Sequence, residues 1–195
     1  MPIMLVIDVP GGTTAQYDRA NELMGIHDDS SVPEGLIHHV ATVDDDGIVV
    51  VDIWESQAAL DRFFETQLGA ALQEAGVPPA TTRVFPVHHV IPRGAGQEAN
   101  VLLLVEPDGF DVTAYDALTE QLDAHAGDGG NHPAAFHSVG LKDDGEIIVA
   151  DLWGSTDEFY AFARENLADA AEQLGEMKPR FLRVHNRLAP VAAAV

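Results

Sequence analysis

The chain has 195 residues, 46% of them hydrophobic, with no cysteine and a net charge of −22. That apolar content supplies the core of one large domain or two small ones, and the missing thiols exclude disulfides, thiolate nucleophiles and cysteine-ligated zinc or iron–sulfur centres. The acidic surplus repels phosphate backbones and anionic lipid, no window holds the roughly 18 unbroken apolar residues of a membrane span, and the start MPIMLVIDVPGG lacks a basic leader; together these predict a cytoplasmic protein with neither nucleic acid nor membrane as partner.

Residues 3–8 form a continuous apolar run suited to a central strand. Thr13 or Thr14 then caps a helix that buries Tyr17, Ala20 and Met24 and stops at Gly25. A loop rich in Asp, Ser, Gly and Pro leads into a hairpin that turns at DDDG. Ser56 starts a second helix whose apolar face is Leu60, Phe63, Phe64 and Leu68, and a strand around residues 83–91 closes the unit. Pro92, Gly94 and Gly96, with no large apolar residue among them, mark an exposed linker over 93–99. The same order then recurs: a strand at 101–106, a helix at 113–124, a hairpin at DDG, a capping box at Ser155-Thr156-Asp157-Glu158, an apolar face of Phe159, Phe162 and Leu167, and a last strand at 180–188.

This recurrence is a sequence repeat. Residues 35–56 lie over 134–155 at an offset of 99 without a gap, pairing His38 with His137, Asp52 with Asp151 and Trp54 with Trp153. Upstream the offset is 98, pairing Tyr17 with Tyr115, and near each end it is 97, pairing His88 with His185. The chain therefore divides into residues 1–92, a linker at 93–99, and residues 100–195, each unit reading βαββαβ, the split βαβ or ferredoxin-like arrangement of the α+β class. Such a sheet carries both helices on one face, and its other apolar face needs a cover, which a second copy supplies.

VVVDIWES (49–56), AALDRFF (58–64) and FPVHHVI (85–91), with IIVADLWGS, DEFYAFA and FLRVHNRL in the second copy, resemble the dimeric α+β barrel superfamily, in particular its antibiotic-biosynthesis-monooxygenase-like and stress-responsive members. The resemblance implies two tandem ferredoxin-like βαββαβ units forming an intramolecular pseudo-dimeric α+β barrel, further homo-oligomerisation being left open. It also implies that the last strand of each unit borders an edge strand of the other, and that a small-molecule pocket lies between sheet and helices or inside the barrel. On that arrangement His38 approaches His185 and His137 approaches His88.

Asp52 and Asp151 interrupt apolar strands, where an unpaired carboxylate is costly. Asp52 faces His38 if three residues form the hairpin turn, or His39 if two do; the repeat favours His38, because His39 falls opposite Ser138. A carboxylate on one imidazole nitrogen fixes the tautomer and leaves the other nitrogen to take a proton. The candidate catalytic set is thus His38, Asp52 and His185, with His137, Asp151 and His88 as its copy. Three readings follow. The set is a general base acting on an apolar, aromatic or polyketide-like molecule, in the manner of a cofactor-independent oxygenase or isomerase. Alternatively these are core pairs in a binding or stress-responsive barrel without catalysis, or two His and one carboxylate hold a metal in a metal-dependent enzyme, although no HxH or HExxH spacing supports one. No cofactor is implied: Gly11-Gly12 is a turn and matches no phosphate loop. Trp54 and Trp153 read as core plugs, Tyr17 and Tyr115 mainly as packing, Asp8 and Glu106 as acids near helix starts, and His27, His125 and His132 as solvated. Pro86, His89 and His39 meet Arg183, Asn186 and Ser138 in the repeat, so the two sites need not be equivalent.

Overall fold

The structure is a computed structural model that describes residues 1–92, 98–126, 134–168 and 178–190. Most of the expected linker (93–97) and His132 lie outside the described residues, as does the side chain of His125. Strand β1 (Ile3–Pro10) is followed by helix α1 (Thr14–Met24), strands β2 (Leu36–Val43) and β3 (Gly47–Trp54), helix α2 (Gln57–Phe63), a π-helical turn (Phe64–Leu68), helix α3 (Gly69–Glu74) and strand β4 (Thr81–Pro92). Strand β5 (Val101–Val105), helix α4 (Val112–Ala126), strands β6 (Phe136–Leu141) and β7 (Ile147–Trp153), helix α5 (Thr156–Asn166) and strand β8 (Arg180–Leu188) repeat that order. The result is a mixed α+β fold of antiparallel strand pairs.

Local chemistry explains the helix ends. Thr13 accepts from the Gln16 amide and the Gln16 side chain reaches back to Thr13, a capping box, while Gly25 at φ 71° ends α1 in the left-handed region. Ser56 and Ser155 cap α2 and α5 through the amides of Ala59 and Glu158.

Two compact units emerge, and they divide the chain differently from the sequence repeats: one comprises Met1–Pro86 with Leu182–Val195, the other Val87–Phe181. In the first, the strand order is β4-β1-β3-β2-β8, with residues 81–86 of β4 beside β1 and residues 183–188 of β8 beside β2. In the second, the order is β5-β7-β6-β4, with residues 87–92 of β4 beside β6. The last strand of each repeat thus supplies residues to the unit built on the other repeat's second strand. Trp54 packs on Phe63 at 5.3 Å between ring centres, within a core of Leu5, Leu36, Leu60 and Leu188. Trp153, Phe159 and Leu103 form the corresponding core of the second unit. On the sheet face away from the helices Met4, Val6, Val51 and Ile53 are buried as well.

The hairpins set the register. In the first, Asp44 N–H donates to the Gly47 carbonyl at 3.1 Å, leaving a two-residue turn of Asp45 and Asp46, and His39 stands opposite Asp52. In the second, Lys142 N–H donates to the Glu146 carbonyl at 2.9 Å, the turn has three residues (Asp143, Asp144, Gly145), and His137 stands opposite Asp151. The residue by which the copies differ therefore lies in the hairpin turn, and β2 aligns with β6 at 98 while β3 aligns with β7 at 99. The gapless offset of 99 over 35–56 does not hold for β2.

Gly47 is fixed by two constraints at once: its φ is +144°, and a Cβ there would collide with the Val9 carbonyl oxygen. Gly47→Ala should lower stability by more than Gly76→Ala, whose φ is +67° with open space around it. In denaturant melts the second change should cost about 1 kcal/mol, the strain of the left-handed region alone, and the first roughly 3 kcal/mol or more.

Candidate active site

Asp52 on β3 accepts a hydrogen bond from His39 Nδ1 at 2.6 Å, and the Tyr17 hydroxyl on α1 meets His39 Nε2 at 2.6 Å. Trp54 Nε1 donates to the other Asp52 oxygen at 3.4 Å. Strand β8 adds Asn186, whose Nδ2 donates to the Tyr17 hydroxyl at 3.1 Å. A carboxylate accepts only, so His39 carries its hydrogen on Nδ1 and takes the Tyr17 hydrogen on Nε2. Tyr17 is pushed up to about 12, chiefly by burial and secondarily by the Asp52 charge, against the hydrogen bonds of Asn21 and Asn186. It is a neutral phenol at any ordinary pH.

The second unit carries the same relay. His137 Nδ1 donates to Asp151 at 2.6 Å, Tyr115 hydroxyl meets His137 Nε2 at 2.8 Å, and His89 Nδ1 meets Tyr115 at 2.8 Å, in the place of Asn186. His137 and Asp151 are thus brought together as the sequence suggested.

His38 and Asp52 are not brought together. Neighbouring strand residues point to opposite faces, so the two-residue turn directs His39 to Asp52 and turns His38 to the other side of the sheet. There Arg187 Nε donates to His38 Nε2 at 3.3 Å, and burial, then the Arg187 charge, push His38 down to about 3. His185 and His88 do not reach the carboxylates either. Each donates from Nε2 to the acid that follows the tyrosine on its helix, Asp18 on α1 and Asp116 on α4 respectively, at 2.7 Å, and each stands edge-on to the tyrosine, at 5.5 Å from Tyr17 and 5.8 Å from Tyr115. They brace the phenol rings from outside the relay.

Sequence reasoning gave Tyr17, Tyr115 and His39 too little weight and assigned no role to Asn186 or His89. A signal was present: Tyr17 and Tyr115 are 98 apart, as are His39 and His137, so a common offset already joined those residues.

A cavity of about 630 Å³ opens onto the first relay. Its wall is apolar, with Leu5, Ile7, Val50, Leu60, Phe63 and Leu188 among its residues, and Tyr17, His39 and Asp52 are exposed to it from the sheet and α1. The acids Asp61 and Glu65 also line it, but no lysine or arginine does among the described residues. Cavities of this size accept molecules of a few fused rings. As for a metal, no group of three or more His, Asp or Glu gathers among the described residues, and His39 has both nitrogens engaged. Among those residues no helix is long and apolar enough to cross a membrane.

The depressed His38 has a consequence for stability. In the unfolded chain it takes up a proton below about pH 6.5, but in the fold only near 3, so the unfolded state holds more protons between those values and stability falls as pH drops through them. The denaturation midpoint of His38→Gln should decline less between about pH 7 and pH 4 than that of the parent protein. Parallel declines would show that His38 is not held neutral.

No protein-family model matches the chain, and no curated protein does. Solved structures do. A protein of Fusobacterium nucleatum subsp. nucleatum, provisionally named a monooxygenase, superposes with a TM-score of 0.72 at 12% identity over 96% of this chain and 94% of its own. A second provisionally named monooxygenase, from Lactobacillus acidophilus, gives 0.65 at 14% identity over 96% of both chains. An anthrone oxidase-like protein gives 0.55 at 18% identity over 100% of this chain and 96% of its own. At these identities the likeness shows a shared mixed α+β fold.

Proposed function

We propose that the first unit binds an uncharged, largely apolar fused-ring molecule and removes a proton from it through the Tyr17–His39–Asp52 relay, as the first step of an oxygenation that needs no cofactor. The observation that carries this is a single one: a relay of hydrogen-bonded titratable groups in the wall of a largely apolar cavity ends at a phenol that lines that cavity. The similarity of fold to proteins named as monooxygenases and as anthrone oxidase-like supports the choice of chemistry, as does the sequence resemblance to the dimeric α+β barrel superfamily.

The proton leaves an acidified C–H of the substrate for the Tyr17 oxygen while the phenolic proton moves to His39 Nε2. No tyrosinate accumulates, which matches a phenol whose pKa lies near 12. Asp52 stabilises the imidazolium that results. The substrate anion then passes electrons to dioxygen and a C–O bond forms. The relay returns its proton to the peroxide oxygen, the second C–H proton is then lost as the O–O bond breaks and joins the departing hydroxide as water, and the CH₂ carbon has become a ketone. The apolar walls keep bulk water from quenching the anion.

Anthrone, an uncharged tricycle with one acidic CH₂, is the probe. The protein should consume one dioxygen per anthrone and yield anthraquinone and water. Tyr17→Phe, His39→Ala and Asp52→Asn should each reduce kcat by about 10²–10⁴-fold, while His27→Ala, an exposed change away from the cavity, should not. Anthrone binding without oxygen uptake would instead favour a barrel that binds and does not catalyse. Full turnover in His39→Ala would remove the relay from the chemistry.

A further inference from the structure

The order of protons in the first relay can be followed from one end to the other. Asp52 at 2.6 Å demands a hydrogen on His39 Nδ1; a ring whose one hydrogen is held there presents a lone pair on Nε2, and Tyr17 at 2.6 Å gives its hydrogen to that lone pair. The Tyr17 oxygen is left as an acceptor. The Asn186 carboxamide meets this demand through Nδ2 at 3.1 Å. Turning the Asn186 amide over would set its oxygen against an oxygen with no hydrogen to offer, so the orientation is imposed by the chain of partners.

We infer that Asn186 is a positioning residue which holds the Tyr17 oxygen as a fixed acceptor and thereby sets the direction of proton flow, and that the second unit lacks this control because His89 takes the place of Asn186. The flow of protons rests on the function proposed above; the order of hydrogen atoms does not.

The comparison between units supplies the second half of the argument. Tyr115 lies between two imidazole nitrogens, His89 Nδ1 and His137 Nε2, each at 2.8 Å. A carboxamide nitrogen only donates, whereas an imidazole nitrogen donates in one tautomer and accepts in the other. Both rings can therefore compete for the one phenolic hydrogen. The charged or titratable groups about Tyr115 are His89 and His88 from β4, His137 from β6, Asp151 from β7 and Asp116 on α4, which holds His88. About Tyr17 they are His39, Asp52, and His185 with its partner Asp18.

The test is the ¹⁵N spectrum of the imidazole nitrogens in the intact protein, with anthrone turnover followed in parallel. In the parent chain His39 should show one neutral tautomer with hydrogen on Nδ1. Asn186→Asp keeps the shape but removes the donor, so the Tyr17 hydrogen should turn to the introduced carboxylate, the His39 Nε2 resonance should move, and kcat should fall by roughly tenfold, the loss of about one hydrogen bond, with KM changed less than about twofold. Asn186→His copies an arrangement that the second unit accommodates, and should divide the Tyr17 hydrogen between two imidazole acceptors, moving the His39 Nε2 resonance part of the way while Nδ1 keeps its hydrogen; His89→Asn should make the His137 Nε2 resonance resemble that of the parent His39. An unmoved His39 resonance in both Asn186 variants overturns the inference. If the parent chain fails to oxidise anthrone, the proposed function falls while the nitrogen resonances still decide the role of Asn186.

Discussion

The Asp52 carboxylate is the constraint from which the site follows. It is set in an apolar strand with its side chain about one-tenth exposed, and a charge so placed needs partners. The fold supplies an imidazole across the hairpin at 2.6 Å and an indole at 3.4 Å. Once His39 is bound on one nitrogen its tautomer is fixed, and the phenol on α1 and the carboxamide on β8 have only one way to join. Four elements far apart in sequence are thereby committed to one hydrogen-bond order.

The second unit shows that the relay is a property of the fold and its surroundings a property of each copy. Asp151, His137 and Tyr115 reproduce the first three members with nearly the same distances. What differs is the group beyond the phenol, an amide in one unit and an imidazole in the other, and that decides whether hydrogen positions are unique. The helix after β3 differs too. In the first unit it passes through a π-helical turn at Phe64–Leu68, and Phe64, Glu65 and Leu68 from that turn line the cavity. Widened turns of this kind re-aim side chains and recur at functional sites.

Charge bears on the ligand as well. A chain with a net charge of −22 and a cavity bordered by Asp52, Asp61 and Glu65 without a lysine or arginine among the described residues disfavours carboxylates and phosphates. An uncharged molecule meets no such penalty and gains from the apolar wall.

Much of the architecture was already written in the sequence. The apolar runs, the capping residues Thr13, Ser56 and Ser155, the stop at Gly25 and the acidic hairpin turns are local signals, and each acts within a few residues of the structure it directs. The repeat likewise announced that Asp52 and Asp151 would need partners. The choice between His38 and His39 was not legible, because strand side chains alternate with a period of two and a one-residue difference between turns sends the whole strand to the other face. Nor could sequence bring Asn186 to Tyr17, 169 residues away, or stand His185 against the same ring. Such contacts form only when a helix docks on a sheet and a distant strand adds to its edge, so composition and spacing determined which elements exist, while tertiary packing alone decided which side chains meet.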